Sequence, residues 1–160
     1  ATMMNCIYVS EIFRISGLKT KIMSSIAVGD MAELFSKDKA VKALKKGQVV
    51  FCAGGTGHPF FSTDTGVVLR ALELECKEIL LAKAIDGVYD KDPKKFPDAK
   101  KYESLSIDEV VEKKLQVIDL SASILCLENR LPLSVFSLEE EDGIAKALLG
   151  EHRGTRVTAE

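Results

Sequence analysis

Residues 48–65 read QVVFCAGGTGHPFFSTDT, and no other stretch constrains the fold of this chain as tightly. An apolar run bounded by glycine suits a central strand covered on both faces. Gly54, Gly55 and Gly57 follow at once, and Asp64 to Cys76 then has the composition of a helix. A strand feeding a short turn and a helix is the unit from which α/β folds are built, and ligands bind beyond the carboxyl ends of such strands. Glycines there let the backbone approach a ligand without Cβ atoms in the way. Ser62, Thr63 and Thr65 bring hydroxyls to a helix N-terminus, where N–H groups and the dipole favour phosphate. Phe60 and Phe61 offer an apolar wall for a base or ribose. Each residue also has a plainer use: Ser62 or Thr63 as an N-cap, Asp64 as a first-turn acid.

The remainder alternates in the same manner. Met4, Ile7, Tyr8, Ile12 and Ile15 recur at helical spacing before Gly17. Lys19–Met23 suits a short strand. Asp30 opens a second helical stretch, with Met31, Leu34 and Phe35 on one face and Gly47 at its end. Glu78–Ala82 and Leu133–Phe136 read as buried strands, while Asp119–Asn129 and Gly143–Leu149 read as helices. Ser106 and Glu109 fit a capping box ahead of Val110 and Val111. No repeat or Pro/Ser linker divides the 160 residues, so one α/β domain over 1–160 with a largely parallel sheet is expected. The irregular stretch from Asp90 to Lys101 carries two prolines and five lysines. It is either a solvated surface loop or a lid or rim over a ligand.

Charge and composition narrow the function. A formal net charge of −2 argues against a general nucleic-acid binder, which shows a basic excess or stripe. No apolar run approaches the ~20 residues of a membrane span, and no signal-peptide pattern opens the chain. The four cysteines, Cys6, Cys52, Cys76 and Cys126, are too scattered for a metal site with His58 and His152. They read as small buried hydrophobes in a reducing compartment, which makes the expected location cytoplasmic. Walker A and Gly-x-Ser-x-Gly motifs are absent, and a Rossmann fingerprint starting at Gly55 fails because position 60 is Phe.

A second informative segment is LLAKAIDGVYDKDP, residues 80–93. A buried strand delivers Lys83 to its carboxyl end, where a lysine serves as a point charge for phosphates. Asp86-Gly87 then makes a turn, and Tyr89, Asp90 and Asp92 follow in a loop.

Together, GGTGHPFFSTDT, LLAKAIDGVYDKDPKKFPDAKKYESLS, LQVIDLSA and LGEHRGTRV resemble the bacterial uridylate kinases of the amino-acid-kinase superfamily, over nearly the whole chain. The resemblance implies a three-layer αβα sandwich around a mainly parallel sheet. It implies transfer of the ATP γ-phosphoryl group to UMP with Mg²⁺, a homohexamer, and GTP or UTP as effectors. Thr56, Gly57, His58, Pro59, Phe60, Phe61, Ser62 and Thr63 match the family's UMP segment, with Thr56 and its neighbours at uracil and Thr63 at the phosphate. Asp64 matches a catalytically important acid. A bare carboxylate repels crowded phosphates, so its expected task is to hold a lysine or Mg²⁺. Lys83, Tyr89 and Asp92 match the ATP side, and Asp119 matches a second acid. No residues are expected to form a metal cage of their own.

The match has departures. His58 stands where the family commonly has Asn, and Lys83 where it often has Thr. The family's opening strand, its Lys-bearing glycine loop, an Arg turn and a ribose-binding Asp have no counterpart in these residues. The expectation is a chain lacking roughly the N-terminal third of the fold and inactive alone. The alternative is a non-catalytic nucleotide-binding or regulatory module of the same fold. An amino-acid or carbamate kinase of the superfamily fits less well, because those relatives lack the PFFSTDT loop.

Overall fold

Gly17 and Ser36 divide the first part of the chain into its elements. In a computed structural model, which describes residues 2–115, 117–151 and 153–158, helix α1 (Thr2–Ile15) ends just before Gly17 (φ 87°). Strand β1 (Thr20–Ser24) follows, then β2 (Glu33–Leu34), helix α2 (Lys37–Leu44), strand β3 (Val49–Ala53) and helix α3 (Thr63–Glu73). Gln116 and His152 lie outside the described residues.

The chain divides into two units, residues 1–75 and 76–160. In the first, the three strands form a parallel sheet in the order β2-β1-β3. Helix α1 packs on β1 and β3, with the Phe13 and Phe51 rings 5.5 Å apart in an edge-on contact. The apolar run 49–53 is therefore a strand as expected. Among the described residues it is an outer strand of its sheet rather than a central one, and Val49–Cys52 are half-buried.

The helix expected before Gly17 is present, whereas the one expected from Asp30 needs correction. In α1, Ser10 is fully buried and 2.7 Å from the Thr20 hydroxyl and Phe13 meets Phe51, whereas Met4, Tyr8 and Ile15 face outward, each at least 70% exposed. Asp30–Phe35 is not helical. Ser36 caps α2 by accepting from the Lys39 N–H, so the helix cannot begin earlier. The segment before it is drawn out alongside β1, where the Phe35 N–H donates to the Ser24 carbonyl at 2.8 Å. Glu33 begins this short strand between Lys21 and Lys39, which hold its carboxyl below the usual range.

The second unit contains β4 (Ile79–Lys83), β5 (Ser104–Ser106), α4 (Ile107–Glu112), α5 (Leu120–Glu128), β6 (Leu133–Ser137), α6 (Gly143–Leu148) and β7 (Thr155–Thr158). Its sheet runs β4-β6-β7-β5, with only the β6–β7 pair antiparallel. Leu133, Val135, Phe136, Val157, Leu105 and Ile107 build its core. This is the expected α/β architecture with parallel-dominated pairing. The stretch Asp90–Lys100 is closed at its neck: the Asp90 N–H donates to the Lys100 carbonyl, and the Lys100 N–H donates to the Asp90 carboxylate.

No helix among the described residues is long and apolar enough to cross a membrane. No disulfide forms among them. Cys126 fits the reading of cysteines as core residues, with burial pushing its thiol up to about 11, but Cys76 is exposed.

The capping box is formed in full: Ser106 Oγ accepts from the Glu109 N–H, and the Glu109 carboxylate accepts from the Ser106 N–H. Ser106→Ala should therefore cost about 1 kcal/mol in denaturant unfolding, with an unchanged denaturant slope.

Candidate functional site

The turn leaving β3 is set by close backbone approach. Gly54, Gly55 and Gly57 all have positive φ, at 80°, 58° and 80°. A Cβ on Gly54 would sit 2.5 Å from the Ser25 hydroxyl oxygen, and one on Gly57 would sit 3.1 Å from the Ser25 Cβ. Ser25 also donates its hydroxyl to the Gly54 carbonyl at 2.6 Å, tying the end of β1 to the start of the turn. On the other side, a Cβ on Gly66 of α3 would meet the Gly55 Cα at 2.9 Å. The turn is thus wedged between Ser25 and the first coil of α3.

Within it, Thr56 Oγ1 accepts from the His58 N–H at 3.1 Å. His58, Pro59, Phe60 and Phe61 face solvent. Phe60 is fully exposed and sits at φ 68°, a conformation costly for a bulky side chain. Ser62 is the N-cap of α3, its hydroxyl accepting from the Thr65 N–H at 3.2 Å. Thr63 opens the helix with an exposed side chain, and Asp64 follows, half-buried, in the first turn at the positive end of the dipole. All nine predicted residues from Thr56 to Asp64 therefore lie on one turn and one helix start in the first unit.

The other predicted residues lie in the second unit. Lys83 ends β4 and donates from Nζ to the Val117 carbonyl at 2.7 Å. Two residues beyond Val117, Asp119 caps α5 by accepting from the Ala122 N–H at 3.0 Å. Tyr89 and Asp92 line one pocket of about 350 Å³, together with Pro93, Lys113, Lys114 and Leu115. The structure thus gathers Tyr89 with Asp92, and Lys83 near Asp119 through Val117; neither Lys83 nor Asp119 is among the residues lining the pocket.

Sequence reasoning missed Lys113, Lys114 and Leu115. They follow α4, and Lys114 turns the chain at φ 52°. Nothing local in the sequence marks them, because their role arises from folding back beside a segment more than twenty residues earlier. Asp92 has a local task too, accepting from the Lys94 N–H at 3.0 Å. The Asp86 carboxyl is raised by burial but lowered more by hydrogen bonds from Lys101 and Tyr89, and ends below the usual range. The Tyr89 hydroxyl, donating to Asp86 at 2.7 Å, is held above its ordinary value. Among the described residues no three His, Cys, Asp or Glu side chains converge to hold a metal ion.

A model of the amino acid kinase family matches residues 1–137, and the chain belongs to that family. It is 43% identical over 98% of its length to a uridylate kinase of Psychrobacter sp. (strain PRwf-1), and it spans 65% of that relative's length. Among solved structures it superposes on a UMP kinase from Bacillus anthracis with a TM-score of 0.93 at 34% identity, covering 99% of this chain and 66% of that one. A UMP kinase from Ureaplasma parvum gives 0.92 at 33% identity, over 98% of this chain and 67% of that one.

Gly66→Ala should force α3 and the turn apart, since the obstructing atom is backbone. A loss of about 1–3 kcal/mol in thermal or denaturant unfolding is expected. Gly55→Ala meets nothing within 4 Å and should suffer only from its positive φ.

Proposed function

We propose that this protein is a nucleoside monophosphate kinase that moves the γ-phosphoryl group of ATP to UMP, giving UDP and ADP in pyrimidine nucleotide synthesis. The observation that carries the reading is the wedged turn 54–62, which leads into an exposed threonine, Thr63, at the start of α3 beside Asp64. A turn with no room for side chains on one side keeps its other side fixed for a ligand. Thr56 and the residues to Phe61 hold the uracil end of UMP, and His58 reads it in place of an amide. Phe60 supports this role, since backbone strain at a fully exposed aromatic gives the fold itself no burial. The Thr63 hydroxyl and the dipole of α3 hold the phosphate.

On the donor side, the Tyr89–Asp92 pocket takes the adenosine of ATP, and Lys83 neutralises phosphate charge. Phosphoryl transfer depends on positioning and charge neutralisation, so these residues contribute by holding and not by covalent chemistry. Mg²⁺ enters with ATP and offsets charge on the phosphates. Such an ion would need only one or two carboxylates besides the phosphates, and it would supply charge neutralisation there. Asp64 is the carboxylate proposed to hold a cation, and Asp119, fixed by the Ala122 N–H, is the second acid.

The reading extends to a cytoplasmic location, where cysteines stay reduced, and to a homohexamer answering to GTP or UTP. The outward apolar residues Met4, Tyr8 and Ile15 of α1 give copies of the chain a surface to bury.

Calorimetry with UMP, CMP and aspartate tests the substrate, and UMP should bind tightest. The complete gene product should convert UMP and ATP to UDP and ADP; binding of UMP without turnover would leave a nucleotide-binding module. Thr63→Ala should weaken UMP binding by roughly 1–3 kcal/mol, and unchanged affinity would remove Thr63 from the phosphate. Asp64→Asn should depress turnover in the complete gene product more than it weakens nucleotide binding. The reverse pattern would contradict a cation-holding role.

A further inference from the structure

Thr155 is the first residue of β7 and has no exposed surface. Its hydroxyl accepts from the Val88 N–H at 2.8 Å and donates to the Tyr102 carbonyl at 2.5 Å. Lys101 makes a second tie beside it: its Nζ donates to the Asp86 carboxylate at 2.9 Å and to the Arg153 carbonyl at 3.0 Å. The backbone adds a third, with the Tyr102 N–H donating to the Val88 carbonyl at 2.8 Å. Asp86 accepts in turn from the Tyr89 hydroxyl. Gly87 fits because it has no side chain; a Cβ there would lie 2.6 Å from the Thr155 hydroxyl and 2.9 Å from the Lys101 Cδ. The turn 86–89 is thus fastened from one side by residues 101, 102 and 155. Its other side, at Gly87, Val88 and Tyr89, lines the pocket of about 350 Å³.

We propose that Lys101 and Thr155 are positioning residues for the donor nucleotide, acting by fixing the 86–89 turn that walls its pocket. The proposal rests on the reading of that pocket as the ATP side. Neither residue lines the pocket, so both act through Gly87, Val88 and Tyr89. A wall made of irregular backbone binds a ligand well only if it is already in place, because ordering it on binding costs affinity. A lysine spanning a carboxylate and a carbonyl from separate segments, and a buried hydroxyl using both its donor and an acceptor site, put it in place beforehand.

The test is calorimetric titration of the purified protein and its variants with a non-hydrolysable ATP analogue plus Mg²⁺, and separately with UMP. Lys101 is partly exposed, and Lys101→Met keeps its stem while removing the charge. It should weaken analogue binding roughly three- to tenfold, leave UMP affinity and the melting temperature near the parent's, and be largely restored by Lys101→Arg. Thr155→Ser should behave as the parent, and Thr155→Val should weaken analogue binding more than Lys101→Met does. If Thr155→Val does not fold, the Lys101 series decides alone. Parent-like analogue binding by Lys101→Met overturns the proposal and leaves the pocket reading intact. An equal loss for UMP and analogue also overturns it, since that pattern belongs to a general structural role. A parent protein that binds UMP but not the analogue sinks the pocket reading itself, and this proposal with it.

Discussion

Close approaches at three glycines, Gly54 and Gly57 against Ser25 and Gly66 against Gly55, set the geometry around which the first unit is arranged. Gly66 against Gly55 is backbone on backbone and leaves little slack, because neither side can rotate away as a side chain would. The end of β1, the exit from β3 and the start of α3 are therefore fixed relative to one another. From that follows the position of the residues between Thr56 and Asp64, including the exposed aromatics Phe60 and Phe61. The aromatic pair is carried outward on a rigid base.

The second unit solves a similar problem with side chains. Its turn at 86–89 carries one glycine, and polar ties from Lys101, Thr155 and Asp86 hold it. Such ties are directional and specify a geometry. Each also leaves an unsatisfied partner when broken, so the turn is sensitive to loss of a polar group, whereas the glycine wedge is sensitive to an added Cβ. Lys83 belongs to the same design, since its bond to the Val117 carbonyl links the end of β4 to the segment leading into the cap of α5.

Much of this was legible in the sequence, for reasons that differ by element. The strand at 49–53, the helix starting near Thr63 and the box at Ser106 carry local chemistry: a compact apolar run, a hydroxyl cap, a reciprocal pair. The turn 54–65 announced itself by its glycines, and its pattern also carried the family. Asp30–Phe35 misled because apolar spacing cannot see a cap at Ser36, and capping decides where a helix may begin. In α1 the apolar spacing marked the helix and its end at Gly17, although several of those apolar residues are left outside. Strands β5 and β7 escaped notice: three and four residues long, they exist through pairing with distant partners and carry little pattern of their own. The lysines at 113 and 114 escaped for the same reason.

The place of β7 in its sheet bears on how the second unit comes into being. It sits between β5 and β6, parallel to one and antiparallel to the other, and it is the last strand of the chain's described residues to be made. During synthesis β4 and β6 can zip together first, while β5 waits with its hydrogen-bonding edge bare. Closing that long loop is entropically slow, and an unpaired edge invites the wrong neighbour in the meantime. A ribosome pausing ahead of Thr155 would thus leave half a sheet in search of a partner, and the buried hydroxyl that arrives with that strand doubles as the latch that ends the wait.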